Sequence, residues 1–425
     1  MAIRLPSFRS AQGFDRRVWT LFYGRIISSS GFSVVMPFLS IYLHNELGIS
    51  MTVVGMVLLI SAVVGALGQI VGGELADIIG RRKIMIIAMA ARCMMFLGLA
   101  YVISGGADIF VITIMISMSS LAGSFFEPAT NALIADVVEP KKRLEAYGLL
   151  RIGGNVGWTL GPLLGGLLSM ISYPFLFIIS AAATGTVSLI VYLFVAESIA
   201  SGARRHKLSL RDLGRLRNDH RFLAFCMISI PLFMLFGQMA SSYAVFSTDI
   251  IGISNAELGY LYAVNGLMVV FMQFPISRSI NRVRMTRAMA TGSTLYAIGY
   301  GIVSLAPSLG MSMPHWLFSP GFFFLAICMV IVTFGEMWVS PSSMTLVAKM
   351  SPEKERGRYQ GMYGLVSNFG FSAGPFFGGL LFDAFSGQPF ILWAGIGSFG
   401  LIAALGFLGL GRKISESADR IDEND

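Results

Sequence analysis

Ionisable side chains stand inside long apolar stretches of this 425-residue sequence, where charge is costly. They are Glu336, Glu127, Arg25, Arg92 and Arg151. A medium of low dielectric constant disfavours the ionised form of a carboxyl group, so such a group is suited to taking up and releasing a proton. We therefore expect reversible protonation at Glu336, with Glu127 as a second candidate and Arg25 as the candidate cation. The alternative for each carboxylate is a structural ion pair, for example between Glu127 and Arg151.

The elements that hold these residues are predicted to be membrane-spanning helices. Hydrophobic residues make up 55% of the chain and charged residues only 13%, which is unlike a soluble domain. Apolar runs of about 20 residues are long enough to cross the hydrocarbon core as helices. Their Gly- and Met-rich composition favours helices over barrel strands. We count twelve, at about 18–43, 52–76, 84–104, 109–134, 147–170, 174–196, 223–247, 257–279, 288–308, 317–345, 360–382 and 389–410.

The basic residues indicate how the chain is oriented. Of the 31 Lys and Arg, all but the three arginines inside spans lie in the N-terminus, the C-terminal tail or the loops after even-numbered spans. The positive-inside rule then places both termini in the cytoplasm of a multi-pass cell-membrane protein. The net charge of +8 reflects this topology and does not indicate a nucleic-acid partner. No nucleotide-binding loop, metal-ligand spacing or nucleophile motif is present, so we expect no enzyme, cofactor or metal.

A glycine-proline pattern, G-x-x-x-G-P-x-x-G-G, occurs twice in spans 5 and 11, and the two copies are 213 residues apart. Glycines at this spacing remove side chains from one helix face, so that a neighbouring backbone can approach, and proline bends the helix. The chain is therefore interpreted as a duplicated unit. The copies are Gly157, Gly161, Pro162, Gly165, Gly166 and Gly370, Gly374, Pro375, Gly378, Gly379.

The duplication predicts an N-terminal half at 1–196 and a C-terminal half at 223–411, each with six spans. The polar segment 197–222, rich in arginine, would join them either as a solvated linker or as a short basic helix on lipid headgroups. The tail at 412–425 is polar and acidic, a composition typical of cytoplasmic disorder.

Span 2 ends in Gly73-Glu74-Leu75-Ala76-Asp77-Ile78-Ile79-Gly80-Arg81-Arg82-Lys83. Gly73 allows close helix approach and Gly80 permits a tight turn, while Asp77 at the hydrocarbon edge needs a cation or a helix N-terminus. This motif resembles the signature of the major facilitator superfamily. The duplicated glycine-proline pattern is similar to one found in the drug:proton antiporter branch of that superfamily.

The resemblance covers the whole chain and implies an all-α membrane protein with the major facilitator fold. That fold has twelve transmembrane helices in two pseudo-symmetric six-helix bundles, each built from inverted three-helix repeats. It also implies a conformational latch between the halves, formed by Gly73, Asp77, Gly80, Arg81 and Arg82 with Asp136 as the partner of Arg81. The alternative is plain helix capping with topological charge. The second half has no acid in the matching loop, so the latch is expected on one side only.

One position departs from the antiporter pattern. Relatives usually carry an arginine four residues before a glycine of span 4; with Gly123 as that glycine, the position is Ser119. The role of that arginine is therefore absent or moved. Arg25, Arg92 and Arg151 are the available cations, and Arg92 is the weaker candidate because third helices in this fold tend to be peripheral.

The function implied by the resemblance is secondary active transport by alternating access. The specific expectation is proton-coupled export of small amphipathic organic compounds by a monomer in the lipid bilayer. A metabolite exporter or a proton-coupled uptake symporter is the alternative within the fold, and a non-transporting scaffold or sensor is the alternative outside it. The residues expected to line a substrate cavity are Asn155, Trp158, Gln238, Tyr243, Asn265, Trp338 and Asn368.

Overall fold

The computed structural model describes residues 14–106, 108–198, 219–280, 283–309, 318–352, 355–416 and 419–420. The secondary structure of these residues is helical, with no strand among them. Most of the predicted basic linker, residues 199–218, lies outside the described residues.

Fifteen α-helices follow one another along the described chain. They are α1 Arg16–Ser33, α2 Met36–Ile41, α3 Met51–Ile79, α4 Arg81–Ser104, α5 Ile109–Ser124, α6 Phe126–Val137, α7 Arg143–Ser169, α8 Tyr173–Phe194, α9 His220–Gln238, α10 Ser242–Val245, α11 Asn255–Ile280, α12 Met285–Val303, α13 Pro320–Met350, α14 Arg356–Phe385 and α15 Pro389–Gly411. Short π-helical turns, Tyr42–Glu46 and Phe246–Ile250, extend α2 and α10.

Ten helical segments in the described part of the chain are long and apolar enough to cross a membrane. Helices α7 and α12 correspond to the predicted fifth and ninth spans but are not among the ten. Polar side chains interrupt the apolar run in both: α7 begins with Arg143 and Glu145, and α12 carries Arg287 and several hydroxyl side chains. The chain is a multi-pass helical membrane protein, and the count of twelve spans remains a prediction.

The chain divides into two compact units, one of residues 2–39 and 60–207, the other of residues 40–59 and 208–425. In the first unit, α1 packs against α7 and α8, while α4 packs against α5 and α8. In the second unit, α9 packs in the same way against α14 and α15, while α12 packs against α13 and α15. The duplication in the sequence thus appears as one helix-packing pattern used twice.

The register of the repeat can be read from the helix starts. Arg16, Met51 and Arg81 begin helices that recur 204 residues later at His220, Asn255 and Met285. From Pro128 onward the offset is 213, as Pro341 and the two glycine-proline patterns show. These two offsets assign each side chain of one unit an equivalent position in the other.

The repeated glycines lie where helices meet backbone to backbone. A Cβ on Gly157 would stand 2.7 Å from the carbonyl oxygen of Ile26 in α1, and a Cβ on Gly370 would stand 2.7 Å from that of Ile230 in α9. Each contact also carries an interhelical hydrogen bond. Ser33 Oγ donates to the Gly157 carbonyl (3.0 Å), and Gln238 Nε2 donates to the Gly374 carbonyl (2.7 Å).

A break divides the fourth predicted span into α5 and α6 at Phe125. Pro128 supplies no N–H to the preceding turn and disfavours helical backbone before it. Gly123 therefore lies in the last turn of α5, and Glu127 in the first turn of α6. The break places these two residues at a helix end inside an apolar segment.

The expectation that the tail after Gly411 is disordered is wrong for its described part. Ile414 is buried in the apolar core around Phe407, and Asp419 has no exposed surface. The reason is a specific contact that composition does not reveal: Asp419 binds the start of helix α12, as described below.

Candidate functional site

Glu336 lies in helix α13 and accepts a hydrogen bond from one neighbouring side chain. Nδ2 of Asn265, from helix α11, donates to Oε2 of Glu336 (3.0 Å) and contacts Oγ1 of Thr333 at the same distance. Thr333 in turn donates to the Met329 carbonyl (2.7 Å), which fixes its hydroxyl. Within the described residues no cation forms an ion pair with Glu336.

Aromatic side chains of α12 and α15 pack together near Gly335, the residue before Glu336. Tyr296 and Tyr300 are fully buried, and Trp393 stacks on Tyr300 with ring centroids 5.6 Å apart. Helices α12 and α13 approach closely because Gly335, beside Glu336, leaves room for the Tyr296 ring. The described polar contact of Glu336 is thus a single amide donor, beside a close apolar helix interface.

Glu127 has a cation partner, and it is not the one considered from the sequence. Nη2 of Arg25 lies 3.3 Å from Oε1 of Glu127, whereas Arg151 is exposed. Both side chains of the pair remain partly accessible, at 31% for Arg25 and 46% for Glu127. The pair is therefore open to solvent or ligand, and two predicted proton-coupling residues form one ion pair.

Arg92, which the sequence analysis took as the weaker candidate cation, is buried. Its guanidinium lies over the Phe32 ring at 4.7 Å and near the Phe96 ring at 5.3 Å. A Cβ on Gly123 would lie 2.5 Å from Nη1 of Arg92. Although Ser119 is not an arginine, a guanidinium thus lies against Gly123, and it comes from helix α4.

The Asp77 cluster is organised around Arg81, whose side chain is 3% exposed. Its Nη1 donates to Asp136 and to the Ala132 carbonyl, and its Nη2 lies 3.3 Å from Asp77 Oδ1. Ser198 Oγ donates to the same Asp136 oxygen (2.8 Å). The structure thus brings together Asp77, Arg81 and Asp136, as predicted from the motif.

Helix α4 begins at Gly80, whose φ of +112° is strained for any residue with a Cβ. Glycine offers no capping side chain, so the cap comes from elsewhere in the chain. Oε1 of Glu197, which follows helix α8, accepts from the backbone N–H groups of Arg81 (3.0 Å) and Arg82 (3.4 Å). Arg82 itself donates to the Tyr192 carbonyl (2.6 Å).

The second unit repeats this cap with a different acid. Oδ1 of Asp419 accepts from the Thr286 N–H (2.8 Å), and Oδ2 accepts from the Thr286 hydroxyl (2.6 Å) and from Arg284 Nε (2.7 Å). Sequence inspection missed both Glu197 and Asp419. A signal for them was nevertheless present: Gly80 and Arg284, at the N-cap positions of α4 and α12, carry no capping side chain, so a cap from elsewhere in the chain is needed.

The residues expected to line a cavity fall into three groups by exposure. Gln238 and Tyr243 are fully buried in helix packing, with Gln238 bonded to the backbone of α14. Asn265 contacts Glu336, and Trp338 is half-buried. Exposed surface is found at Asn155, Asn368 and Trp158, whose ring contacts Phe32 edge-on at 5.9 Å.

A cavity of about 520 Å³ opens within the second unit, away from all the residues above. Its polar lining comes from His44, Ser50, Asp249 and Asp383, among others. Both carboxylate oxygens of Asp383 accept backbone hydrogen bonds at the start of α3, from Met51 and Thr52 (2.8 Å each). His44 Nδ1 lies 2.7 Å from the Ile49 carbonyl. Asp249 is exposed and makes no hydrogen bond within the described residues.

A duplicated set of membrane helices with ionisable side chains inside them is the architecture typical of membrane transporters. The family model of the Major Facilitator Superfamily matches residues 21–319 and 248–423. The chain therefore belongs to the major facilitator superfamily.

Relatives with similar sequences are MFS-type transporters. The uncharacterized transporter YttB of Bacillus subtilis is 28% identical over 89% of this chain and 91% of its own length. The multidrug resistance protein MdtH of Klebsiella pneumoniae (strain 342) is 28% identical over 88% of this chain and 89% of its own.

Solved structures share the fold at low sequence identity. A peptide transporter, POT, in complex with sulfate is 14% identical, with a TM-score of 0.73 over 93% of this chain and 94% of that one. The nucleoside transporter NupG is 14% identical, with a TM-score of 0.74 over 94% of this chain and 100% of that one. These likenesses show the fold.

Proposed function

We propose that this protein is a secondary active transporter that exports small amphipathic organic compounds in exchange for protons. The observation that carries the proposal is the setting of Glu336. Its carboxylate lies within an apolar helix, its described hydrogen-bond donor is the amide of Asn265, and buried aromatic side chains pack nearby. Likeness to a multidrug resistance protein over almost the whole chain supports the substrate class.

In the proposed cycle, proton binding at Glu336 competes with substrate and biases the protein between its inward-open and outward-open states. Protonation removes the charge that Asn265 stabilises, so the carboxyl group can then lie beside the apolar helix interface without an ionic cost. The Arg25–Glu127 pair is a second candidate site, where Glu127 would take up a proton in place of its ion pair with Arg25. We further propose a monomer in the cell membrane with both termini in the cytoplasm, as the distribution of basic residues predicts.

The Asp77 cluster is proposed to set the relative stability of the two access states. Arg81 is anchored by Asp136 and the Ala132 carbonyl, whereas its contact with Asp77 is longer and more exposed. Asp77 is therefore the member that can exchange partners at low energetic cost, which suits a latch. Asp136 instead fixes the arginine in place.

The proposal is tested with Glu336→Gln and the matched control Glu74→Gln, which removes an exposed carboxylate of helix α3. An untargeted screen of an overexpressing strain first identifies an exported solute. Uptake of that solute into everted membrane vesicles is then measured with and without an imposed pH gradient. Glu336→Gln should lose the response to the gradient while the control keeps it; an unchanged response in Glu336→Gln would remove the central residue.

The alternative functions predict other results in the same vesicles. A proton-coupled uptake symporter would move solute in the direction of the proton gradient rather than against it. A metabolite exporter would transport a single cellular metabolite in preference to a range of amphipathic compounds. The absence of any solute-dependent proton movement over a broad panel of compounds would favour a scaffold or sensor.

A further inference from the structure

Arg92 is a buried cation whose hydrogen-bonding capacity is unused. The residue is 7% exposed, its Nε has no hydrogen-bond partner, and within the described residues it forms no ion pair and no hydrogen bond. A guanidinium has five N–H donors in one plane, and buried donors without partners are rare. The chain keeps this group inside the first unit without an acceptor for it.

The neighbouring rings account for the position of Arg92 but not for its donors. Phe32 and Phe96 contact the guanidinium through cation–π interactions, which stabilise the charge through the faces of the rings. The N–H groups lie in the guanidinium plane and are not satisfied in this way. Gly123 makes room for the guanidinium itself, because a Cβ there would lie only 2.5 Å from Nη1.

The internal repeat gives Arg92 an uncharged counterpart. Arg92 is equivalent, at the offset of 204, to Tyr296, and a Cβ on Gly123 would meet Arg92 as a Cβ on Gly335 would meet Tyr296. The first unit therefore carries a buried positive charge at a position where the second unit carries a phenol.

A second cation stands close to the first. The charge of Arg25 acts on Arg92, and Arg25 is itself bound to the partly exposed Glu127. The carboxylate of Glu127 is thus an anion already bound to the second of the two arginines. Trp158, 41% exposed and in contact with Phe32, adds apolar aromatic surface next to the same group.

The depth of Arg92 excludes a lipid headgroup as its natural partner. It is the twelfth residue of the 24-residue helix α4, about 17 Å from either end at the helical rise per residue. A headgroup phosphate lies at the membrane surface, outside that range. An anion that reaches Arg92 must therefore arrive with a transported compound.

We propose that Arg92 is a substrate-binding residue that receives the carboxylate or a similar planar oxyanion of an amphipathic organic acid. Its guanidinium donates to the oxyanion, Phe32 and Trp158 contact the apolar part, and Glu127 competes with the ligand for the positive charge. This inference rests on the proposed transport function and specifies the class of substrate: compounds that carry an acidic group.

The test compares two probes of the same shape and opposite charge, 1-naphthoate and 1-naphthylmethylammonium. Their binding to the purified full-length protein in neutral detergent is measured by equilibrium dialysis against a detergent blank. Arg92→Gln should weaken naphthoate binding about tenfold or more, because a charge-assisted hydrogen bond is lost. Binding of the ammonium probe should not weaken. Arg151→Gln, which removes an exposed arginine of α7, is the matched control and should leave both probes unaffected.

Two further variants keep the test decisive if Arg92→Gln does not fold. Glu127→Gln should tighten naphthoate binding, since it removes the competing anion. Gly123→Ala should weaken naphthoate binding by displacing the guanidinium while leaving its charge in place. The inference is overturned if naphthoate does not bind the wild type. It is also overturned if Arg92→Gln binds naphthoate as tightly as the wild type does, or, where Arg92→Gln does not fold, if Gly123→Ala does so.

The binding assay separates this inference from the transport proposal. It is made at equilibrium and without a pH gradient, so it reports binding of the probe and not proton coupling, and Glu74→Gln should bind naphthoate like the wild type. Loss of naphthoate binding in Arg92→Gln with intact proton coupling to a non-acidic solute would support both statements. Intact naphthoate binding in Arg92→Gln together with lost coupling in Glu336→Gln would overturn only the anion site.

Discussion

Helix α7 meets helix α1 at Gly161 and Ser33, where a Cβ on the glycine would overlap the Oγ of the serine. The same Cβ would stand 2.8 Å from the carbonyl oxygen of Ser30, so the helix backbone as well as the hydroxyl blocks it. Gly374 makes the equivalent contact with Met234 of helix α9. The separation of each helix pair is therefore set by main-chain atoms.

Gly161→Ala should destabilise the protein by about 1–3 kcal/mol, as overpacking does when the surroundings cannot move aside. Gly148→Ala, in the same helix, is the matched control, because a Cβ at Gly148 would meet nothing within 4 Å. It should be neutral or stabilise by up to about 1 kcal/mol through helix propensity. Thermal unfolding of the purified proteins in detergent compares the two; equal midpoints would show that the close contact is dispensable.

Asp136→Ala and Asp77→Asn should have different effects although both residues bind Arg81. Removal of Asp136 leaves a buried guanidinium without its main acceptor, at a cost of about 3 kcal/mol. Asp77 is 38% exposed and 3.3 Å from Arg81, so its loss should cost at most about 1 kcal/mol. If Asp77 acts as a latch, Asp77→Asn should nevertheless lower solute flux at least severalfold.

Unfolding midpoints and vesicle flux, measured on the same preparations, distinguish these effects. A stable Asp77→Asn protein with wild-type flux would argue against the latch. A stable Asp136→Ala protein would show that the Ala132 carbonyl alone can hold Arg81.

Asp419→Ala should detach the described part of the tail. The substitution removes three hydrogen bonds and leaves the partly buried Arg284 without its carboxylate, so we expect a loss of about 2–4 kcal/mol. Glu416→Ala is the control: its pair with Arg420 is more than half exposed on both sides and should contribute little. Limited proteolysis followed by mass spectrometry should show cleavage after Gly411 in Asp419→Ala alone.

Asp383→Asn should loosen the start of helix α3. The amide retains one acceptor oxygen, so one of the two backbone hydrogen bonds is lost, at a cost of about 1 kcal/mol. Hydrogen exchange at Met51 and Thr52 should become faster. Asp249→Asn changes an exposed carboxylate of the same cavity and should leave that exchange unaltered; equal exchange in both variants would mean that the cap contributes nothing.

The sequence predicted those features that depend on local periodicity or on a motif. Apolar runs located the helices, and the glycine spacing located the faces where α7 and α14 meet their neighbours. Asp77 and Arg81 were grouped by a motif that spans one loop, and Asp136 was added as the partner of Arg81 that the family resemblance implies. The individual residues Glu336 and Asn265 were also named, because a polar side chain in an apolar run is conspicuous.

Contacts between distant parts of the chain were not predictable in this way. Glu127 was considered with Arg151, which is near in the sequence, whereas its partner Arg25 is 102 residues away. Arg92 was ranked low because its helix was expected to be peripheral, yet a long side chain can reach from such a helix into the interior. Glu197 and Asp419 stand just after helices and look like ordinary loop charges until the helix N-termini they cap are known.

These two caps also impose an order in time. The backbone groups of Arg81 appear 116 residues before the carboxylate of Glu197, and Arg284 precedes Asp419 by 135 residues. At ribosomal rates of roughly 5–20 residues per second, each third helix of a unit exists for several seconds before its cap is synthesised. During that interval the backbone N–H groups at the start of the helix must find hydrogen-bond acceptors in water, lipid or an insertion factor. The last helix of each unit therefore contributes more than packing, because the acid that follows it completes a helix made long before.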